Sequence, residues 1–359
     1  MKYLLLAVLG FYLPFSRSCP AMDAAASPAT APASAAIVPK TTKKLLVLNI
    51  DPILESAGGV RLNAFMKWQD PRKLNEGYLR CLTEASGGLV KWEVTAWVDL
   101  DLWPRKMDGF RYDDEGFVAC WKDPKNHSFH QPDAVDYAAL LDTPISEAGG
   151  KSAHQLAAGG EVDEVLVWAH PYSGFYESRM VGETAYWCNA PALHRASRLY
   201  VVMGLNPERG VAEALHSFGH RSESILKKVY GSWSQTGEIK HLWDRYSRVG
   251  PLHAGVPAGC GNVHFPPNAS QGYAYDVKTA FPSEAAQWLR FPDLSGRAEP
   301  VSAEEWNGPD YHLNYMCWWL NHLPKAPGRY EDPVNPLNHG KLNNWWAYLT
   351  DMNAQAESR

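Results

Sequence analysis

Residues 199–230 read LYVVMGLNPERGVAEALHSFGHRSESILKKVY. The first six (LYVVMG) form a short apolar run, which predicts a buried strand. Asn206 and Pro207 follow as a cap and a first helical residue. Beyond them Val211, Leu215, Phe218, Ile225 and Val229 recur at helical spacing. That stripe predicts one long amphipathic helix over 208–230, stopped by Gly231. A strand feeding such a helix is a building unit of layered folds.

Working outward, three more stretches read as strands: 45–50 (LLVLNI), 92–100 (WEVTAWVDL) and 162–169 (VDEVLVWA). A helix is expected near 134–141. The fold class is therefore α/β or α+β, a layered core of about four strands with the long helix, over 43–231. After residue 232 Gly, Pro, Asn and Trp dominate, predicting a loop-rich, Trp-rich half over 232–359 with short helices near 282–288 and 311–322. That half either packs on the same core or forms a second domain.

At the N-terminus, Lys2 precedes an apolar run over 3–15, too short to span a membrane, which takes about 20 apolar residues. It fits a secretory signal peptide over 1–22. The Ala, Pro and Ser residues that follow predict a flexible linker over 23–42. Secretion or a periplasmic location is expected. A lipid anchor on Cys19 is the alternative, and Arg17 fits it poorly. The formal net charge of −5 offers no footprint for nucleic acid. The six cysteines contain no CxxC pair, so export predicts disulfides, with Cys81–Cys120 and Cys260–Cys317 as the simplest pairings.

The sharpest chemical signal is LHSFGHRSE over 215–223. His216, His220 and Glu223 fall within about 60° of one another on one helix face, a set that can present two imidazoles and a carboxylate to Zn²⁺. Arg209, Glu213 and Lys227 share that face, so a solvated or intramolecularly hydrogen-bonded polar face and catalysis without a metal are the competing readings. Gly219 in mid-helix argues for something packed close. A second cluster, HPYSGFYES over 170–178, brings His170, Tyr172, Tyr176 and Glu177 to a strand end, where ligand crevices form. Asp51 and Asp99 also follow strands. A third, GCGNVHFPPNAS over 259–270, offers His264 as a further ligand. The doublets Trp318-Trp319 and Trp345-Trp346 could stack on sugar rings. Neither a G-x-S-x-G elbow, a G-x-G-x-x-G fingerprint nor a P-loop occurs, which disfavours nucleotide chemistry and α/β-hydrolase acyl transfer.

The order strand, loop, strand and helix over about 163–230, with LHSFGH on the helix, resembles the zincin metallopeptidases and their HExxH helix. His216 and His220 match the two histidines. The resemblance implies a third ligand downstream, from Glu223, His241, His253 or His264. It departs at Ser217, where the family has its general-base glutamate, so Glu177 or Glu183 would have to take that role. His220-x-x-Glu223 alone also resembles the HxxE ligand pair of zinc carboxypeptidases. Three functions follow as expectations. The first is a secreted hydrolase with a zinc site acting on an extracellular peptide or polysaccharide. The second is a metal-free carbohydrate-active or carbohydrate-binding protein. The third is a zincin-like scaffold that binds and catalyses nothing.

Overall fold

The computed structural model describes residues 38–234, 238–253 and 255–353. The expected signal peptide, Cys19 and all but the last residues of the expected linker lie outside them. Five strands make one sheet: β1 (Thr41–Ile50), β2 (Val90–Leu100), β3 (Glu164–Trp168), β4 (Ser178–Val181) and β5 (Tyr200–Leu205), in the order β2-β1-β3-β5-β4. All neighbours run parallel except β4, which pairs antiparallel with β5 at the edge. The fold is mixed α/β.

Parallel strands are buried on both faces and alternate their side chains between them. In β1, Leu45 and Val47 point to one apolar cluster, and Leu46, Leu48 and Ile50 to the other. The second cluster is closed by the short helix Tyr137–Asp142, the helix expected near 134–141, and by Leu156 and Ala157. The first cluster is larger. It takes in α1 (Pro71–Ala85), α2 (Val211–Tyr230), α3 (Tyr311–Asn321) and α4 (Trp345–Thr350), so the chain after residue 232 packs into the same apolar cluster as the chain before it.

The strand and long helix of 199–230 form, with one adjustment. Asn206 caps a turn, its Oδ1 accepting from the Glu208 N–H, and α2 begins later, at Gly210, whose N–H donates to Glu213 Oε2 at 3.0 Å. α2 is not amphipathic in the expected sense. Beside the apolar stripe it buries His216, Ser217, Gly219, Arg221, Ser222 and Glu223. Arg221 is fully buried and forks onto Glu164 of β3 at 2.6 and 2.8 Å, while its Nη2 also donates to the Leu349 carbonyl of α4. One guanidinium thus ties the sheet's central strand, the long helix and the C-terminal helix together.

Two expectations are corrected. Trp319, Trp345 and Trp346 are fully buried and are no surface for sugars. Trp345 packs on Trp243, Tyr246 and Trp288, Trp319 on Trp243 and Tyr246, and Trp346 on Trp92 and Phe218. Trp318 is half-buried against Trp306 and His322. A loop-rich half has few aliphatic strands to fill its interior, and indole rings fill it instead. The described cysteines also form no disulfide. The Cys81 thiol is hydrogen-bonded with Cys317 of α3, Cys120 bonds the Ser128 carbonyl, and Cys260 is buried against Tyr246. Among the described residues no helix is long and apolar enough to cross a membrane.

Removing one partner of a buried ion pair leaves an uncompensated charge. Arg221→Met should therefore cost about 3–5 kcal/mol in urea unfolding, and Glu164→Leu combined with Arg221→Met should recover most of that loss. Equal losses in the single and double variants would contradict the clamp.

Candidate metal centre

α2 carries His216 and His220 one turn apart. Above them lies the 259–275 loop. A Cβ on Gly219 would stand 2.6 Å from Val263 and 2.9 Å from Met316 of α3, so only glycine lets loop and helix come this close. The Val263 N–H donates to Glu223 Oε1 at 2.9 Å, which pins the loop to the helix. The next residue, His264, then falls over the histidine pair. Its Nε2 lies 3.0 Å from His220 Nε2, which is 3.1 Å from His216 Nε2. All three ligand atoms lie within 4.8 Å of one another. Zn–N bonds of about 2.0–2.1 Å place tetrahedral ligands about 3.3–3.4 Å apart, so this set fits zinc.

The outward nitrogens of the two helical histidines are held as metal ligands require. His220 Nδ1 meets Glu223 Oε2 at 3.0 Å. His216 Nδ1 meets His312 Nε2 of α3 at 3.1 Å, and His312 Nδ1 stands 3.9 Å from Glu213. A carboxylate on the outer nitrogen keeps the proton there and turns the lone pair inward. Burial pushes His216 down to about 3, helped by the neighbouring histidines, and it also lowers His264 and His312. Burial acts on His220 in the same direction, but the bond to Glu223 and its charge outweigh it and raise the pKa. Tyr273 brings a fourth donor, its hydroxyl 2.9 Å from His264 Nε2. Tyr275 backs His216 and donates to the Val263 carbonyl.

A cavity of about 800 Å³ opens beside His216, lined by Tyr172, Glu177, Arg209, Glu213, Tyr273 and His312 among others. It lies at the carboxyl ends of β3 and β5, where Pro171 and Asn206 leave the sheet, the usual place for a ligand crevice in such sheets. Glu177 enters it just before β4. Asn189 holds it, donating from Nδ2 to Oε2 at 2.5 Å, and the Asn189 N–H is tied in turn to Ser224 Oγ of α2 at 3.0 Å. Asn189 adopts a left-handed backbone (φ 52°) to do so, a conformation asparagine tolerates better than most residues. The negative charge of Glu177 acts on both His220 and His264.

Several expectations end differently. The face bearing His216 and Glu223 is buried under the 259–275 loop and α3, which excludes the solvated reading. Glu223 supports His220 with one oxygen and the loop with the other, so His264, not Glu223, is the candidate third ligand. Glu183 is exposed in the turn after β4 and is absent from the cavity lining. His170 is buried among Trp103, Tyr112 and Phe117 away from the cavity. Ser217 lines the cavity but donates its hydroxyl to the Glu213 carbonyl at 3.0 Å. His241 caps the helix Leu242–Ser247, and His253 bonds the Val249 carbonyl. Asp51 accepts from the Asn63 N–H, and Asp99 pairs with Arg72 and Trp97. His312, Glu213 and Asn189 were not anticipated. His312 is 96 residues from the histidine it supports, and no local pattern marks it.

No protein-family model, curated protein or solved structure matches this chain.

Two outcomes follow. Loss of the imidazole behind His216 should weaken zinc binding 10–100-fold on the scale of outer-shell ligands. His312→Gln should do so in a competition titration against a chelating dye, with its circular dichroism unchanged; wild-type affinity would contradict the supporting role. Burial holds His170 near 3, well below its ordinary 6.5. The unfolded chain then takes up the proton first, so stability is present above about pH 6.5 and falls as pH drops towards 3. His170→Phe should lessen the loss of urea stability between pH 7 and pH 5; an unchanged loss would contradict this.

Proposed function

We propose that this chain is an exported zinc-dependent hydrolase that cleaves an acyl bond in an extracellular peptide or glycan. The observation that carries the reading is the convergence of three histidine Nε2 atoms beside a cavity that also contains Glu177. His216, His220 and His264 would hold the ion. Zinc in that position supplies a Lewis acid and a water acidified to near-neutral pKa.

The remaining roles belong to side chains. Glu177 takes the proton from the attacking water and passes it to the leaving group, as a positioned carboxylate can. It thereby replaces the glutamate that the zincin resemblance would put at Ser217. Tyr273, with its hydroxyl at His264 Nε2, is close enough to donate to the oxygen on which negative charge develops. Glu223 and the Glu213–His312 pair hold the ligands, and Asn189 holds the base. The bond is acyl rather than glycosidic. Glycoside hydrolysis needs two working carboxylates flanking an acetal; of the other acids on the cavity, Glu213 accepts from the Gly210 N–H, Asp133 pairs with Lys106, and Glu208 lies beside Arg209. A metal-binding scaffold without catalysis is the second reading, favoured by Ser217. Burial of Trp319, Trp345 and Trp346 removes the tryptophan surface on which the metal-free carbohydrate reading relied.

The test is elemental analysis of the mature protein, purified without a histidine tag. About one zinc per chain is expected, and none in His220→Ala. Glu177→Gln should keep its zinc and lose about 10²–10⁴-fold in turnover of a fluorogenic ester, the range of general-base catalysis. A folded, metal-free wild type would overturn the reading, and full activity in Glu177→Gln would overturn the role of that carboxylate.

A further inference from the structure

We infer that the substrate is an acylated sugar, an N-acyl or O-acyl saccharide whose acyl group is removed; this rests on the zinc-hydrolase reading above. The first observation concerns β4, the edge strand that leads away from Glu177. Extended peptides commonly bind by adding a strand to such an edge. Here the edge is already used. The Leu193 N–H donates to the Met180 carbonyl at 2.9 Å, the Gly182 N–H to the Leu193 carbonyl at 3.1 Å, and Arg179 Nε to the Pro191 carbonyl at 2.9 Å. At Met180 and Gly182 the segment at Leu193 already occupies the outer ladder, so a polypeptide cannot extend the sheet there.

The second observation is the cavity wall. Tyr172 and Tyr273 line it and remain 44% and 61% exposed. Both hold left-handed backbones, with φ of 58° and 65°, a costly conformation for aromatic residues that persists where the surroundings enforce it. Tyr172 is stacked on Phe129 at 3.6 Å and 11°, and its carbonyl accepts from Lys106. Its ring is therefore fixed before any ligand arrives. Trp121 and Phe175 extend the aromatic wall, and Arg209 and Glu208 stand on the same lining. Flat rings for the C–H face of a sugar, with charged groups for its hydroxyls, are what a saccharide requires. Of the three proposed ligands His216 lies on this lining with Glu177, and His264 reaches it through Tyr273, where the acyl carbonyl would lie.

The reaction balances without any further reagent. For an N-acetyl sugar, the C–N bond of the amide breaks and water divides between the products. Its hydroxyl joins the acyl carbon to give acetate, and its hydrogen goes through Glu177 to the nitrogen to give the free amine. For an O-acetyl sugar the ester C–O bond breaks and the sugar hydroxyl is freed.

The experiment uses the zinc-loaded full chain with three probes: an N-acetylglucosamine hexamer, an O-acetylated xylo-oligosaccharide, and a mixed-sequence decapeptide. Released acetate and peptide fragments are measured by mass spectrometry. Binding of the same probes to Glu177→Gln is followed by tryptophan fluorescence. Acetate from one of the two sugars is expected, and which one decides between amide and ester. Tyr172→Ala should raise KM at least tenfold while kcat, zinc content and circular dichroism stay near wild type. Cleavage of the peptide without acetate release would overturn the sugar assignment and leave the zinc reading standing. So would bound zinc with neither sugar bound by Glu177→Gln nor deacetylated by wild type. A chain that binds no zinc would overturn both.

Discussion

The structure turns on one constraint: α2 is covered on two faces, and only Lys227 and Lys228 of its last turn are fully exposed. Its apolar stripe meets the sheet and α1. Its other face, which carries the histidines, meets the 259–275 loop and α3. Two features make that enclosure workable. Arg221 can be buried because Glu164, in the middle of the sheet, takes its guanidinium in a fork and Leu349 takes a further donor. A lone buried charge would be prohibitive, whereas a paired and hydrogen-bonded one is tolerated. Gly219 then removes the one side chain that would hold Val263 and Met316 away. Helix propensity is given up there, by about 1 kcal/mol against alanine, in exchange for close packing.

The candidate site follows from that packing. Two of its imidazoles come from adjacent turns of α2, and the third arrives only because Val263 is pinned to Glu223. Each of the two helical ligands is backed by a carboxylate, one directly and one through His312. The same helix reaches Glu177, the proposed base, since Ser224 anchors Asn189 and Asn189 anchors Glu177. The three histidines, their supporting residues and Glu177 are thus tied to a single rigid rod, the kind of preorganisation that the proposed metal-assisted hydrolysis needs. The cavity lies where the strand ends leave room, and its strained tyrosines face it.

Much of this was legible in the chain itself. The stretches at 45–50, 162–169 and 199–204 were legible as short apolar runs and 92–100 through its alternation, and each contributes a strand. His216, His220, His264 and Glu177 stood out through spacing and neighbours. Gly219 signalled the close approach. α1 was missed although Asp70-Pro71 and the spacing of Leu74, Tyr78 and Leu82 mark it. β4 has only four residues, too few to show an alternation. The polar face of α2 misled, since a face rich in His, Ser and Glu looks the same whether water or a loop covers it. Pairings such as His216 with His312, or Cys81 with Cys317, join helices far apart in sequence and leave no local trace. The tryptophan doublets misled for a different reason: composition tells how much aromatic area there is, not which side of the surface it occupies.

Zinc K-edge X-ray absorption on the zinc-loaded protein tests the central claim most directly. Three imidazole ligands at about 2.0–2.1 Å with one further oxygen or nitrogen, and loss of one imidazole in His264→Ala, are the predicted result. A first shell containing sulfur, or one unchanged by His264→Ala, would contradict the site described for this protein.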